Sequence, residues 1–245
     1  MADLASLKVK IFADGADLQG MKAMYANPLV KGFTTNPTLM KAAGVTDYVR
    51  FAKDVLAAIP DRPVSFEVFA DEFDEMESQA IEIASWGPNV NVKIPVSNTK
   101  GVFSGPLINR LARRGIQVNV TAVFTLDQVR AIVDALHADT PAIVSVFAGR
   151  IADSGIDPVP LMAEAAGILK AKPKAELLWA SPRELLNVLQ ADRAGCAIVT
   201  ATNAIIEKLP LIGKDQDAYS LETVKMFHDD GRAAAYTIPL RVTVK

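Results

Sequence analysis

The stretch "NVNVKIPVSN" (Asn89–Asn98) decides the fold, because it sets a lysine inside a β-branched run. Successive side chains of a strand point to opposite faces, so Val90, Val92 and Ile94 share one face and Asn89, Asn91 and Lys93 the other. In an antiparallel sheet that polar face would meet water. In a closed parallel barrel it would point inward, and Lys93 would be sequestered. The remainder of the chain distinguishes the two.

Working outward, β-rich runs recur at intervals of about 20 to 30 residues, each followed by a helix-length amphipathic segment, which is the pattern of βα units. There are eight: "VKIFAD" (9–14), "GFTTN" (32–36), "VSFEVFA" (64–70), "VNVKIPV" (90–96), "QVNVTAV" (117–123), "AIVSVFA" (142–148), "AELLWAS" (175–181) and "CAIVTAT" (196–202). Segments between them, such as "DEFDEMESQAIEIASW" and "TLDQVRAIVDALHA", carry apolar residues at three- and four-residue spacings. Eight such units in 245 residues predict a single (β/α)8 TIM barrel over about 8–210, with a C-terminal helix near 217–231 and a tail to 245. The main alternative, a doubly wound open sheet, lacks its usual Gly-rich first turn here.

Strand parity supports the barrel. The set expected to face helices is apolar: Val9, Ile11, Ala13; Val64, Phe66, Val68; Val92, Ile94; Val118, Val120; Val144, Val146; Leu178, Ala180. The opposite parity supplies Asp14, Thr34 with Asn36, Glu67, Lys93, Asn119 with Thr121, Ser145 and Ser181, each in the C-terminal half of its strand. That end of a TIM barrel is where active sites are built, and an antiparallel sheet has no reason to crowd polar residues there.

Composition narrows the function. A net charge of −2 leaves no electrostatic footprint for nucleic acid or an anionic membrane, so small molecules are the expected partners. Cys196 is the one cysteine, which precludes an intramolecular disulfide and suits a reducing compartment. The two histidines, His137 and His228, are far apart in sequence on predicted helices, so neither metal nor histidine chemistry is expected. "MADLASLKVKIFADGAD" has no apolar leader core, and no run of about 18 apolar residues occurs, so the expectation is a cytoplasmic protein.

A lysine inside a barrel loses hydration, which favours the neutral amine, a nucleophile that forms Schiff bases with ketones and aldehydes. Cleavage of the adjacent carbon–carbon bond also needs a base, for which Asp14 and Glu67 are the inward carboxylates. Asp17 fits the helix cap after "ADGAD" better than Asp14, whereas Glu67 can equally be read as an ion-pair partner of Lys93. The acidic run "DEFDE" (71–75) reads as a helix start. In "WASPRELL", Ser181, Pro182 and Glu184 form a Ser-x-x-Glu capping box, and with Arg183 and Arg150 nearby they predict an anion site. A non-catalytic sugar-phosphate-binding barrel would need those arginines but not Lys93, Asp14 and Glu67 together.

These motifs together resemble the transaldolases, including the short group to which fructose-6-phosphate aldolase belongs. The resemblance runs through "GFTTNPTLM", "NVKIPVSNTKG", "VNVTAVFTLDQV", "VSVFAGRIADSG" and "LLWASPRELLNVLQADRAGCAIVT". It implies a barrel enzyme that moves a dihydroxyacetone unit from a ketose phosphate to an aldose phosphate without cofactor or metal. By motif, Lys93 forms the Schiff base and Asp14 is the acid/base at the C4 hydroxyl. Glu67 and Thr121 hold the proton-shuttling water, and Asn36, Asn119 and Ser145 bind hydroxyls or the intermediate. Arg150, Ser181 and Arg183 bind the phosphate. The aldolases resemble this chain but carry glutamine at the position of Glu67 and tyrosine at that of Phe147, which makes transfer the expected reaction. "SNTKGVFSGP" and "VFADEFDEM" depart from commoner members. The tail "AAAYTIPLRVTVK" is apolar enough to dock on a neighbour and, with the rings and dimers the resemblance implies, predicts a homo-oligomer.

Overall fold

The β-branched, alternating segments form the eight strands the sequence predicts. A computed structural model describes residues 4–239. The strands are β1 (Lys10–Asp14), β2 (Val30–Thr34), β3 (Val64–Glu67), β4 (Val90–Pro95), β5 (Val118–Val123), β6 (Ala142–Val146), β7 (Ala175–Trp179) and β8 (Ile198–Ala201). They pair in parallel in sequence order, and β1 also pairs with β8, so the sheet closes on itself. Around it lie α1 (Leu18–Tyr25), α2 (Pro37–Ala42), α3 (Tyr48–Ala58), α4 (Phe73–Ala84), α5 (Gly105–Arg113), α6 (Leu126–Ala135), α7 (Ala148–Asp153), α8 (Pro158–Leu169), α9 (Leu186–Arg193) and α10 (Asn203–Ile206). The C-terminal helix, α11 (Gln216–Ala233), buries none of its residues.

Local chemistry places several helix starts. Asp17 accepts from Gly20 N–H at 2.7 Å as the cap of α1, which leaves Asp14 available to the barrel interior. Thr125 and Gln128 make a reciprocal capping box on α6. The acids of "DEFDE" open α4, with Asp74 and Glu75 in its first turn. His137 falls just past α6 rather than on a helix, whereas His228 lies on α11.

The main core is the layer between strands and helices, and it takes Val92, Ile94, Val64, Phe66, Val118, Val120, Val144 and Val146 as parity predicts. Strand β7 has the opposite phase. Leu177 and Trp179 join that outer core, while Leu178 and Ala180 pack inside the barrel. The run Leu177–Ala180 is wholly apolar, so it carries no alternation to mark its phase, and the bulky Trp179 takes the roomier outer layer. Strand β2 begins at Val30 rather than Gly32, pairing through a register shift opposite Ile11 and Phe12. It ends before Asn36, which caps α2 with Pro37 at the first helical position. Inside the barrel the Phe12 ring lies over Gly32, where a Cβ would come within 2.5 Å of it.

Candidate active site

The eleven residues picked out from the sequence, Asp14, Asn36, Glu67, Lys93, Asn119, Thr121, Ser145, Phe147, Arg150, Ser181 and Arg183, all line one cavity of about 440 Å³ at the C-terminal ends of the strands. Lys93, on β4, stands beside Glu67 on β3, its register partner. Its Nζ donates to Glu67 Oε2 at 2.8 Å and to the Thr35 carbonyl at 2.8 Å, with the lysine side chain 8% and the carboxylate side chain 18% exposed. Of the two readings of Glu67, ion-pair partner and proton carrier, the first describes this arrangement, and it places the carboxylate where it can also take a proton from the amine.

Asp14 sits across the cavity on β1. Thr34 Oγ1 donates to it at 2.8 Å, and Asn36 Nδ2 lies 3.4 Å away. Burial pushes its carboxyl above the usual carboxylate range, against the opposing pull of the Thr34 hydroxyl and the Lys93 charge. A second polar chain runs across the floor: Ser145 Oγ donates to Asn119 Oδ1 at 2.6 Å, and Asn119 Nδ2 donates to Ser65 Oγ at 3.1 Å. These bonds fix the Asn119 amide in one orientation. Thr121 is buried and lines the cavity. Its neighbour Ala122 has φ of +59°, which breaks the β5–β6 register and brings Ala122 into the cavity wall as well.

The predicted capping box does not form. Helix α9 starts at Leu186, and no side chain caps it. Ser181 instead adopts φ of +58°, and its carbonyl packs against Gly149 of α7. Asn187, from within the helix, accepts from the Arg183 and Glu184 N–H groups at 2.7 and 3.2 Å. The contact with α7 holds the segment out of helical geometry, and Ser181 reaches the cavity through this turn rather than by strand parity. Arg183 forms a two-pronged pair with Asp153, whose carboxyl it holds below the usual range. Arg150 forms no salt bridge among the described residues, and its guanidinium lies 5.1 Å from the Phe147 ring centroid. The cavity therefore has a Lys–carboxylate centre and a rim with two guanidinium groups.

Sequence reasoning passed over several contributors. Thr200 Oγ1 lies 2.5 Å from Thr34 Oγ1, tying β8 to the Asp14 hydrogen-bond chain. Thr202 also lines the cavity, and the alternation in "CAIVTAT" was a signal for both. Tyr48, on α3, accepts from Glu67 N–H at 2.8 Å and donates to the Glu67 carbonyl at 3.0 Å, which pins the end of β3. Its ring packs edge-on to Phe66 and Trp86, and burial raises its hydroxyl pKa strongly. The two unusual loops turn out to be joined: Asp71 accepts from the Thr99 N–H and hydroxyl, each at 2.7 Å, and Glu72 pairs with Lys100.

A family model described as transaldolase/fructose-6-phosphate aldolase matches residues 11–238. The chain belongs to this family. It is 34% identical to a probable transaldolase of Dehalococcoides mccartyi, covering 82% of this chain and 90% of that protein. A probable transaldolase of Methanococcus maripaludis strain C7 is also 34% identical, over 82% of this chain and 89% of that one. The structure of a putative phosphonomutase from Burkholderia cenocepacia J2315 superposes with a TM-score of 0.54 at 12% identity, covering 93% of this chain and 95% of that one, a likeness of fold alone. For a member of the transaldolase/fructose-6-phosphate aldolase family, the buried amine of Lys93, paired with Glu67 on the adjacent strand and facing a cavity that Asp14 also lines, is the feature with chemical consequence.

Proposed function

We propose that this chain is a transaldolase that transfers a dihydroxyacetone unit from a ketose phosphate to an aldose phosphate through a Schiff base on Lys93. The observation that carries the reading is the Lys93–Glu67 contact at the bottom of the cavity, with a second, differently placed carboxyl, Asp14, whose pKa burial raises. Two carboxyls in unlike surroundings can divide the proton transfers. Glu67 takes a proton from the lysine ammonium, and Nζ adds to the ketose C2. Water leaves the resulting carbinolamine, with Glu67 and Thr121 beside the departing oxygen. Asp14 then accepts the C4 hydroxyl proton as the C3–C4 bond breaks, its electron pair moving toward the iminium nitrogen to leave an enamine. The carbons from C4 onward leave as an aldose phosphate and a second one enters the same space; the enamine C3 bonds to its aldehyde carbon, the aldehyde oxygen takes the proton from Asp14, and hydrolysis of the new iminium frees Lys93. Asn36, Asn119 and Ser145 hold the hydroxyls, Phe147 walls the chain, and Arg150, Ser181 and Arg183 receive the phosphate; Arg183 keeps N–H donors beyond the two given to Asp153. None of these steps calls for a cofactor.

Borohydride reduction in the presence of fructose 6-phosphate, with intact mass and peptide mapping, tests this. A single adduct on the peptide containing Lys93 is expected, and absence of an adduct with several ketose phosphates would overturn the reading. Product analysis with an aldose phosphate acceptor then separates transfer from release of free dihydroxyacetone. The acid at position 67 supports transfer.

The chain is further proposed to be a cytoplasmic homo-oligomer. Among the described residues no helix is long and apolar enough to cross a membrane. Cys196 is a buried free thiol whose pKa burial pushes up to about 12, inert in a reducing compartment. Helix α11 exposes Leu221, Val224 and Phe227, the last 66% exposed, a row that a neighbouring copy would cover. Of the tail "AAAYTIPLRVTVK", residues 240–245 lie outside the described residues. Light scattering at micromolar concentration should report an oligomer, and a monomer would contradict this.

A further inference from the structure

The polar cavity does not run through the barrel. Phe12, Ile143, Leu178 and Ile198 cluster in the interior, and beyond them a second cavity of about 320 Å³ opens at the N-terminal ends of the strands, with Phe12 and Ile143 in its wall. Its polar lining is Lys10, Lys31, Asn91, Gln117, Lys174 and Glu176, none of which enters the reaction proposed above.

The charges there do not balance. Lys10 and Glu176 pair at 2.5 Å and cancel. Lys31 Nζ donates to the Pro28 carbonyl at 2.7 Å and Lys174 Nζ to the Asp139 carbonyl at 2.8 Å. Carbonyls leave each ammonium its full charge and further N–H donors. Asn91 is an independent pointer. It is only 5% exposed, it projects into the barrel beside this cavity, and its side-chain amide has no hydrogen-bond partner among the described residues. The amide opens on the cavity instead of being sealed in the core, so its N–H donors are free for a ligand there.

The geometry points to a binding site for a small dianion, a phosphate or a dicarboxylate, at the end of the barrel opposite the active site. Two uncompensated ammonium groups match its charge, and the Asn91 amide donates to one of its oxygens. Glu176 is neutralised by Lys10, which leaves the two lysines to set the net charge of the site. The site is independent of the Schiff-base reading.

The test uses the Arg150→Ala/Arg183→Ala protein, which lacks the guanidinium groups of the upper cavity. Calorimetric titration with inorganic phosphate, and separately with malonate, is expected to show one saturable site per chain. Lys31→Gln with Lys174→Gln on that background should weaken it at least about tenfold, as should Asn91→Leu. The two lysines are solvent-exposed, so their replacement leaves the fold intact even where Asn91→Leu does not. Preference for phosphate or for malonate assigns the anion class. No binding of either at up to about 20 mM, or binding that survives the paired lysine substitutions, overturns the site. Lys31→Gln/Lys174→Gln in the otherwise unaltered chain should leave borohydride trapping at Lys93 unchanged, so failure here and failure of the transaldolase reading are told apart.

Discussion

Replacing Gly149 by alanine should damage use of phosphorylated substrates far more than Schiff-base formation itself. A Cβ on Gly149 would stand 1.5 Å from the Ser181 carbonyl oxygen and 2.5 Å from its carbonyl carbon. A comfortable carbon–oxygen separation is about 3.3 Å, so the two backbones must part by roughly 2 Å. Ser181 already occupies a left-handed conformation and has little freedom to absorb this, and Arg183 must move with it. Overpacking of this kind costs about 1–3 kcal/mol of stability. A misplacement of 1 Å or more at a positioning group costs on the order of 100-fold in rate, about 2.7 kcal/mol of transition-state binding. Gly149→Ala is therefore expected to lower kcat/KM for fructose 6-phosphate by about 100-fold, while borohydride trapping with unphosphorylated dihydroxyacetone changes by less than about threefold. Steady-state kinetics, adduct mass and urea denaturation measure the three quantities. A variant of ordinary stability that keeps fructose 6-phosphate kcat/KM within about twofold would refute the placement of phosphate against Ser181 and Arg183.

Lys93→Met should abolish both turnover and the adduct, and it leaves Glu67 without its cation. Because the Glu67 side chain is partly solvated, the stability loss should be about 1–3 kcal/mol, below that for a fully buried pair, and Glu67→Gln added to Lys93→Met should recover part of it in urea melts. Asp14→Asn should remove activity yet stabilise the fold at neutral pH by on the order of 1 kcal/mol. The sign follows from its raised pKa: the native state holds the proton more tightly than the unfolded chain, so the native chain loses stability as pH rises from 3.8 through the folded pKa. Thermal melts should show the gain from Asp14→Asn shrinking as pH falls toward 3.8, and a gain independent of pH would contradict the burial argument. The acid limb of kcat should correspondingly lie above the ordinary carboxylate range. Tyr48→Phe deletes both bonds to the Glu67 backbone and should cost about 1–3 kcal/mol, with kcat falling more than KM rises.

Particular residues show where reading the chain succeeded. Val92, Ile94 and Lys93 alternate without ambiguity, so the phase of β4 is written in its own residues, and the same holds for β3, β5 and β6. Strand β7 is apolar on both faces, and its phase is set by where Trp179 finds room. The motif "WASPRELL" satisfies every local rule for a capped helix, yet Gly149 from a different βα unit holds Ser181 out of that geometry. Tyr48 carries no sequence mark of its tie to Glu67, since the bond is made to backbone and α3 is placed by packing.

Period-two alternation and short motifs are properties of single strands, so the number and order of the βα units, the inward set Asp14, Glu67, Lys93, Asn119, Thr121 and Ser145, and the family are all legible in the linear chain. What those side chains meet depends on contacts made across the closed barrel. The Thr35 carbonyl at Lys93 Nζ, the Thr34–Thr200 contact and the Arg183–Asp153 pair join residues far apart in the chain. Such partnerships come into being when β1 closes on β8 and the loops settle against one another.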